Sequence, residues 1–240
     1  MLENVQISKT KEDLAQVAAE LAIITLHQAI QTQGSAIWVL AGGTIPEIAY
    51  RIIAEKHLDA IDWSKVAFVM GDERIVPLDS PDNNWLVAEQ TLLRFVPDAT
   101  FLRPQSDLSA EAAADDYSEQ LARLPQTPAG LPRFDLVWLG VGEDGHTLSL
   151  FPGHPGLEQA DRLVIPIHNS PKPPADRISL TLKALECTHH CYIIAAGAGK
   201  ADVVKQHDNA LLPVVRAEQI IEAAGGIVTW LIDEEAASKL

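Results

Sequence analysis

The chain is short of positive charge: 18 lysines and arginines face 33 aspartates and glutamates, for a formal charge of −15 and a pI of about 4.8. That field opposes nonspecific attraction to nucleic acid and to anionic lipid. Neither is expected as a partner, and a small anionic ligand would need a local cluster of Lys, Arg and backbone N–H groups. Long apolar runs are missing too. The longest, such as residues 193–199, are strand-length, well short of the roughly 18 residues of a spanning helix. The opening Met1-Leu-Glu-Asn-Val5 has no basic segment leading into an apolar core, so no secretion signal is read and a cytoplasmic location is expected. No Gly-x-Ser-x-Gly elbow occurs, and neither of the two cysteines stands in an activating setting. A covalent acyl-enzyme is therefore not signalled, and a base acting on water fits better.

Those cysteines, Cys187 and Cys191, bracket His189 and His190, a run that invites a zinc reading. The spacing is not that of the two-residue knuckle, and residues 192–196 read as a strand that turns alternate side chains apart. Buried small cysteines are the better reading, and no metal site is assigned.

What is present is ordinary for a globular protein, with 47 % apolar and 21 % charged residues, and 1–240 is read as one domain. Between Lys11 and Gln33 the apolar positions Leu14, Val17, Ala18, Leu21 and Ile24 recur at helical spacing, with Gly34 as the stop. Residues 36–41 read as a buried strand, then Gly42-Gly43-Thr44 and a helix with Pro46 near its first turn. Strands follow at 66–70 and 134–139, with helices at 84–95 and 110–124 between them. Beyond Pro152 come strands at 163–167, 178–182, 192–196 and 227–232, and a helix from Lys200 to about His207. Such alternation predicts an α/β fold with a parallel sheet.

Strand ends carry the candidate chemistry. Gly42-Gly43-Thr44 would present N–H groups and a hydroxyl at a helix N-terminus, where phosphate is stabilised, although a plain turn with Thr44 as helix cap gives the same letters. Asp72-Glu73-Arg74 closes another strand. Arg74 can stabilise an oxyanion and Asp72 orient it, while the bland reading is charge that meets solvent. The strand at 134–139 runs into Gly140-Val-Gly-Glu-Asp-Gly-His146, in which glycines let backbone approach a ligand and His146 can move protons near neutral pH. The formal dinucleotide fingerprint in Gly140–Gly145 is rejected. Glu143 and Asp144 would repel a pyrophosphate, Pro152-Gly153 denies the long helix, and no ribose-binding acid stands about 20 residues on. Arg177 and Lys200 sit at loop ends as possible phosphate ligands, and Gly197-Ala-Gly-Lys200 lacks the first glycine and the final Ser/Thr of a P-loop.

Taken together, Leu40-Ala-Gly-Gly-Thr-Ile-Pro46, Met70-Gly-Asp-Glu-Arg-Ile-Val-Pro77, Leu139-Gly-Val-Gly-Glu-Asp-Gly-His-Thr-Leu-Ser-Leu-Phe-Pro-Gly153, Pro171-Lys-Pro-Pro174 with Arg177, and Gly197-Ala-Gly-Lys200 resemble the glucosamine-6-phosphate isomerase/6-phosphogluconolactonase family, in order and in spacing. Thr147-Leu-Ser-Leu-Phe-Pro152 stands where the deaminases of that family typically read Ile-Ala-Phe-Asn-Glu-Pro, so the resemblance favours its lactonases. It implies a three-layer α/β/α sandwich with a mostly parallel, modified Rossmann-like sheet. It also implies hydrolysis of 6-phospho-D-glucono-1,5-lactone in the oxidative pentose phosphate pathway, with His146, Asp144, Arg74 and Asp72 as the reacting set. Gly42, Gly43, Thr44, Asn84, Arg177 and Lys200 would hold the substrate and its phosphate. The family usually shows Gly-Gly-Ser-Thr-Pro, so Thr44 carries the hydroxyl of that turn here. Asn83-Asn84-Trp85 replaces Ser-Asn-Tyr, and Thr147-Leu-Ser149 replaces Thr-Ala-Ser. No cofactor and no metal are expected, and the chain is expected to act as a monomer or small homo-oligomer. A sugar-phosphate deaminase or isomerase, and a non-catalytic sugar-phosphate sensor, are the alternatives. Ammonia release from glucosamine-6-phosphate would mark the first, and tight binding without turnover the second.

Overall fold

The computed structural model describes Leu2 and residues 4–240. Strand β1 (Val5–Ser8) leads into helix α1 (Lys11–Gln33), which the Thr10 hydroxyl opens by accepting the Asp13 N–H and Gly34 closes at φ 88°, the left-handed cap that costs glycine nothing. Then come β2 (Ala36–Leu40), α2 (Thr44–Lys56), β3 (Val66–Met70), the three-residue β4 (Asp72–Arg74), α3 (Asn84–Thr91), β5 (Thr100–Leu102), α4 (Ala110–Leu121) and β6 (Phe134–Gly140). The remainder is β7 (Val164–Ile167), β8 (Arg177–Leu180), β9 (Thr188–Ala195), α5 (Ala201–Lys205), α6 (Pro213–Ala223) and β10 (Ile227–Asp233).

Seven strands form one sheet in the order β1-β10-β9-β6-β2-β3-β5, every pairing parallel. Because side chains alternate along a strand, the sheet feeds two cores. Trp38, Leu40, Phe68, Met70, Leu136 and Trp138 pack with α1, α2 and α3. Ile37, Val39, Val69, Val137, Leu139 and Ile193 pack with α4, α5 and α6. The result is an α/β/α sandwich. A second, antiparallel sheet, β4-β8-β7, lies on the α4 side, so the 163–167 and 178–182 predictions are strands of a separate layer.

The order of strands creates the crevice. From β2 the chain moves outward through β3 to β5, then returns to place β6 on the other flank of β2. Ligands of open α/β sheets bind at such a reversal, beyond the carboxyl ends of the strands.

Several expectations need correction. On α1 the buried face is Leu14, Ala15, Ala18, Ala19, Ala22, Ile23 and Leu26, while Ile24 is exposed; alanines admit the close approach of α2 that the larger residues would block. The helix expected over 84–95 ends at Thr91, where Leu92 leaves helical geometry and a 3-10 turn, Leu93–Phe95, follows. The strand expected from Tyr192 begins at Thr188, so His189, His190 and Cys191 lie within it. Strands β1, β4 and β5 and helix α6 were not anticipated. The strands are too short to show a period, but Pro213 at the first turn of α6 was a usable signal. Among the described residues, no helix is long and apolar enough to cross a membrane.

Candidate active site

Four neighbouring strands, β9, β6, β2 and β3, deliver their loops to one edge. Two cavities meet there and share Gly42, Gly43, Gly140 and Val141 as a common wall. One, of about 170 Å³, is lined by Asp72, Arg74, Asn84, Trp138, His146 and Arg177. The other, of about 270 Å³, is lined by Lys11, Thr44, Pro46, Ile194 and Lys200. The expected site residues therefore converge on one cleft, except Asp144, which touches it through His146. They divide between two lobes, with Arg177 beside His146 and apart from Thr44 and Lys200.

The loop after β6 is wound tightly enough to fix its imidazole. Gly142 N–H donates to His146 O at 2.8 Å, Gly145 N–H to Gly142 O at 3.0 Å, and the Thr147 hydroxyl to Gly140 O at 2.8 Å. Gly145 sits at φ 79°. A Cβ on Gly142 would lie 2.0 Å from His146 Nδ1 and 2.4 Å from Asp144 Oδ1, so glycine there is a condition of the pair. His146 Nδ1 and Asp144 Oδ1 are 2.5 Å apart. Burial holds the imidazole below its ordinary value, with Asp144 working against the shift. Burial also pushes the Asp144 carboxyl up, but the His146 hydrogen bond and charge, with Lys172 at 4.0 Å, leave it below the usual carboxylate range. At neutral pH the pair is thus a neutral ring and a carboxylate. A carboxylate only accepts, so Nδ1 must donate and Nε2 keeps its lone pair.

On the opposite wall, the Ser149 hydroxyl donates to Asp72 Oδ2 at 2.5 Å, and Arg177 Nη1 donates to Ser149 Oγ at 3.4 Å. Arg177 also clamps the Pro171–Pro174 loop through the carbonyls of Lys172, Pro173 and Pro174. In register, Arg74 pairs with Arg177 and Asp72 with Ser179, so the small sheet presents two guanidinium groups from neighbouring strands. Arg74 Nη1 donates to Asp82 O at 2.7 Å. Asn84 Nδ2 donates to Asp72 O at 3.0 Å, and its Oδ1 lies 2.1 Å from where a Gly42 Cβ would stand.

Glu73 rules out, for the middle of its triplet, the bland alternative of charge that meets solvent. It is fully buried and accepts the backbone N–H groups of Arg74, Asn84 and Trp85 at 2.7–2.8 Å. Burial pushes its carboxyl up to about 7 despite those donors, and the contact staples β4 to the start of α3.

In the second lobe Gly43, at φ 111°, is the residue preceding α2 and Thr44 is its first helical residue. Thr44 therefore does not cap the helix, and on this exposed residue the hydroxyl makes no hydrogen bond among the described residues. Burial lowers the Lys200 ammonium, with Glu143 opposing. Lys11, Glu73, Ser149 and Lys172 escaped sequence reasoning. Ser149 and Lys172 lay within quoted motifs, whereas nothing local marked Lys11. Far from the cleft, Cys191 is buried on the α6 side of the sheet and both cysteines are free thiols. Among the described residues, no three His, Cys, Asp or Glu side chains are grouped to hold a metal ion.

Residues 9–223 match the family model described as glucosamine-6-phosphate isomerases/6-phosphogluconolactonase. The chain is 37 % identical to a 6-phosphogluconolactonase of Streptomyces coelicolor, over 98 % of this chain and 93 % of that one. It is 35 % identical to a 6-phosphogluconolactonase of Rattus norvegicus, over 95 % and 88 %. The solved 6-phosphogluconolactonase of Trypanosoma brucei superposes with a TM-score of 0.86 at 27 % identity, covering 99 % of this chain and 98 % of that one.

Proposed function

This chain belongs to the glucosamine-6-phosphate isomerase/6-phosphogluconolactonase family, and we propose that it hydrolyses 6-phospho-D-glucono-1,5-lactone to 6-phospho-D-gluconate in the oxidative pentose phosphate pathway. The observation that carries this reading is the neutral His146, held by Asp144 with Nε2 free, in a cleft that also bears Arg74 and Arg177 and opens onto a lobe with Thr44 and Lys200. A lactone carbonyl needs a base and an oxyanion partner, and a phosphate needs donors and cations. The two lobes offer these side by side.

Water attacks C1 of the lactone while His146 Nε2 takes its proton, and the carbonyl electrons move onto the exocyclic oxygen. Arg74 stabilises that oxyanion, and Asp144 stabilises the imidazolium that His146 has become. Collapse of the intermediate breaks the bond from C1 to the ring oxygen, which receives the proton back from Nε2. Asp72, held by Ser149, orients the substrate and water with Asn84. Gly42, Gly43, Thr44 and Lys200 hold the phosphate from the adjoining lobe, and Arg177 adds its charge from the His146 side. All of this is accomplished by residues of a single domain spanning 1–240.

The test is hydrolysis of freshly generated lactone, with EDTA present, against spontaneous ring opening. The wild type should exceed background by orders of magnitude, and His146→Ala should lose about 10²- to 10⁴-fold in kcat. A wild-type rate equal to the spontaneous one overturns the lactonase reading, and full turnover by the variant overturns His146 as the base.

A further inference from the structure

The lobe carrying Thr44 and Lys200 contains one charged side chain that no motif marked. Lys11 is the first residue of α1 and lines the same cavity. Its Nζ lies 3.4 Å from the point a Cβ would take on Gly197, the glycine at φ 89° that turns β9 toward Lys200. That turn is fixed, because Gly197 N–H donates to both oxygens of the Asp233 carboxylate at 2.9 and 3.0 Å. Lys11 and Lys200 thus line one cavity together with the start of α2.

Stability does not account for Lys11. A cation in the first turn of a helix faces the positive end of its dipole, and the residues that follow, Glu12 and Asp13, are the acids such a position favours. Nor is its charge spent on the protein. Among the described residues, the lysine ion pairs within 4.0 Å are those of Lys65, Lys172, Lys183 and Lys239. Two carboxylates stand at the turn: Asp233, whose oxygens accept the Gly197 N–H, and Glu235, whose Oε2 lies 3.8 Å from the same Gly197 point, and neither is among the acids paired with a lysine. In a chain with a formal charge of −15, a dianionic substrate is repelled at long range, so cations inside the cleft must supply the attraction.

Resting on the lactonase reading for the identity of the ligand, we propose that Lys11 is a second phosphate-binding cation, gripping the substrate phosphate from the α1 side while Lys200 holds it from the β9 side and the N–H groups of α2 from below. Lys11 then contributes to discrimination between phosphorylated and unphosphorylated lactones and takes no part in proton transfer.

Two measurements test this on the full chain. In calorimetric titrations with 6-phosphogluconate and with inorganic phosphate, Lys11→Ala should weaken binding about tenfold, the loss of one charge-assisted contact, and Lys11→Arg should restore most of it. In turnover, Lys11→Ala should raise KM for the phosphorylated lactone by a similar factor. It should leave kcat within about twofold and hydrolysis of unphosphorylated glucono-1,5-lactone unchanged, because uniform binding is what is lost. Its thermal midpoint should be unchanged or higher, as a cation has left a helix N-terminus. Wild-type binding of both anions by Lys11→Ala, with Lys200→Ala impaired, overturns the proposal while leaving the lactonase reading intact. Weakened phosphate binding in a protein whose wild type shows no turnover upholds Lys11 and overturns the lactonase reading instead.

Discussion

Strand β6 carries an aspartate at each end of its course, and the two are used differently. Asp144, just past the carboxyl end, accepts the Nδ1–H of an imidazole 2.5 Å away. Asp135, at the amino end, is buried and accepts the Ile37 N–H at 2.8 Å and Gln33 Nε2 at 2.5 Å, with Arg133 at 3.5 Å. Histidines stand near both. His189 and His190 have rings 4.7 Å apart close to Asp135, yet neither makes a side-chain hydrogen bond to a carboxylate among the described residues. What separates the two ends is the backbone. Glycines at 140, 142 and 145 lift the carboxyl-end loop off the sheet and fold it around its own side chains. At the amino end, the Ile37 N–H of the neighbouring strand and the Gln33 amide of α1 use up the carboxylate. Asp144, by contrast, takes one long backbone bond, from the His146 N–H at 3.3 Å, and keeps its short contact for the imidazole.

The harshest way to break this contrast is Gly142→Ala. Its methyl would fall within 2.4 Å of both Asp144 and His146, and displacing that pair should cost at least about 10² in kcat while circular dichroism shows the fold retained. Normal turnover would mean that the tight loop does not position the base. The pH profile sharpens the same point. Protonated His146 cannot accept a proton, so kcat/KM should fall on the acid side, with a midpoint below 6.5 because burial lowers the imidazole. Asp144→Asn removes the group that opposes the shift, so the midpoint should move lower still and the plateau should drop. An acid limb above 6.5 would contradict the assignment. The mildest change lies at the other end. Asp135→Ala strands the Ile37 N–H and should cost about 1–3 kcal/mol in urea unfolding, with kcat/KM unchanged. Lost activity at full stability would show that the amino end is coupled to the cleft.

Much of this organisation was legible in advance, where single residues carry sharp constraints. Gly34 fixed the end of α1, and the run from Phe134 into Gly140 marked both a buried strand and its loop. What could not be read was adjacency. No local pattern says that β6 returns beside β2, that Arg74 stands opposite Arg177, or that the first residue of α1 reaches the cleft, because those follow from strand order and register. Glu73 went unread for a related reason: three charges in a row give no sign of which is buried until the start of α3 is placed over the middle one.

Among the described residues strand β1 has a single neighbour, and that neighbour is β10. Its pairing therefore waits until nearly all the intervening chain has been made and laid down, a contact of very high sequence separation. During synthesis Ile7 and its flanking backbone have no partner, and α1, tied directly behind β1, is free to dock first through its alanine face. The last event of assembly is then the closing of one sheet edge by the earliest and latest strands. Slow maturation and exposure to proteases should concentrate there, well away from the pairing of β4 with β8 that completes the cleft.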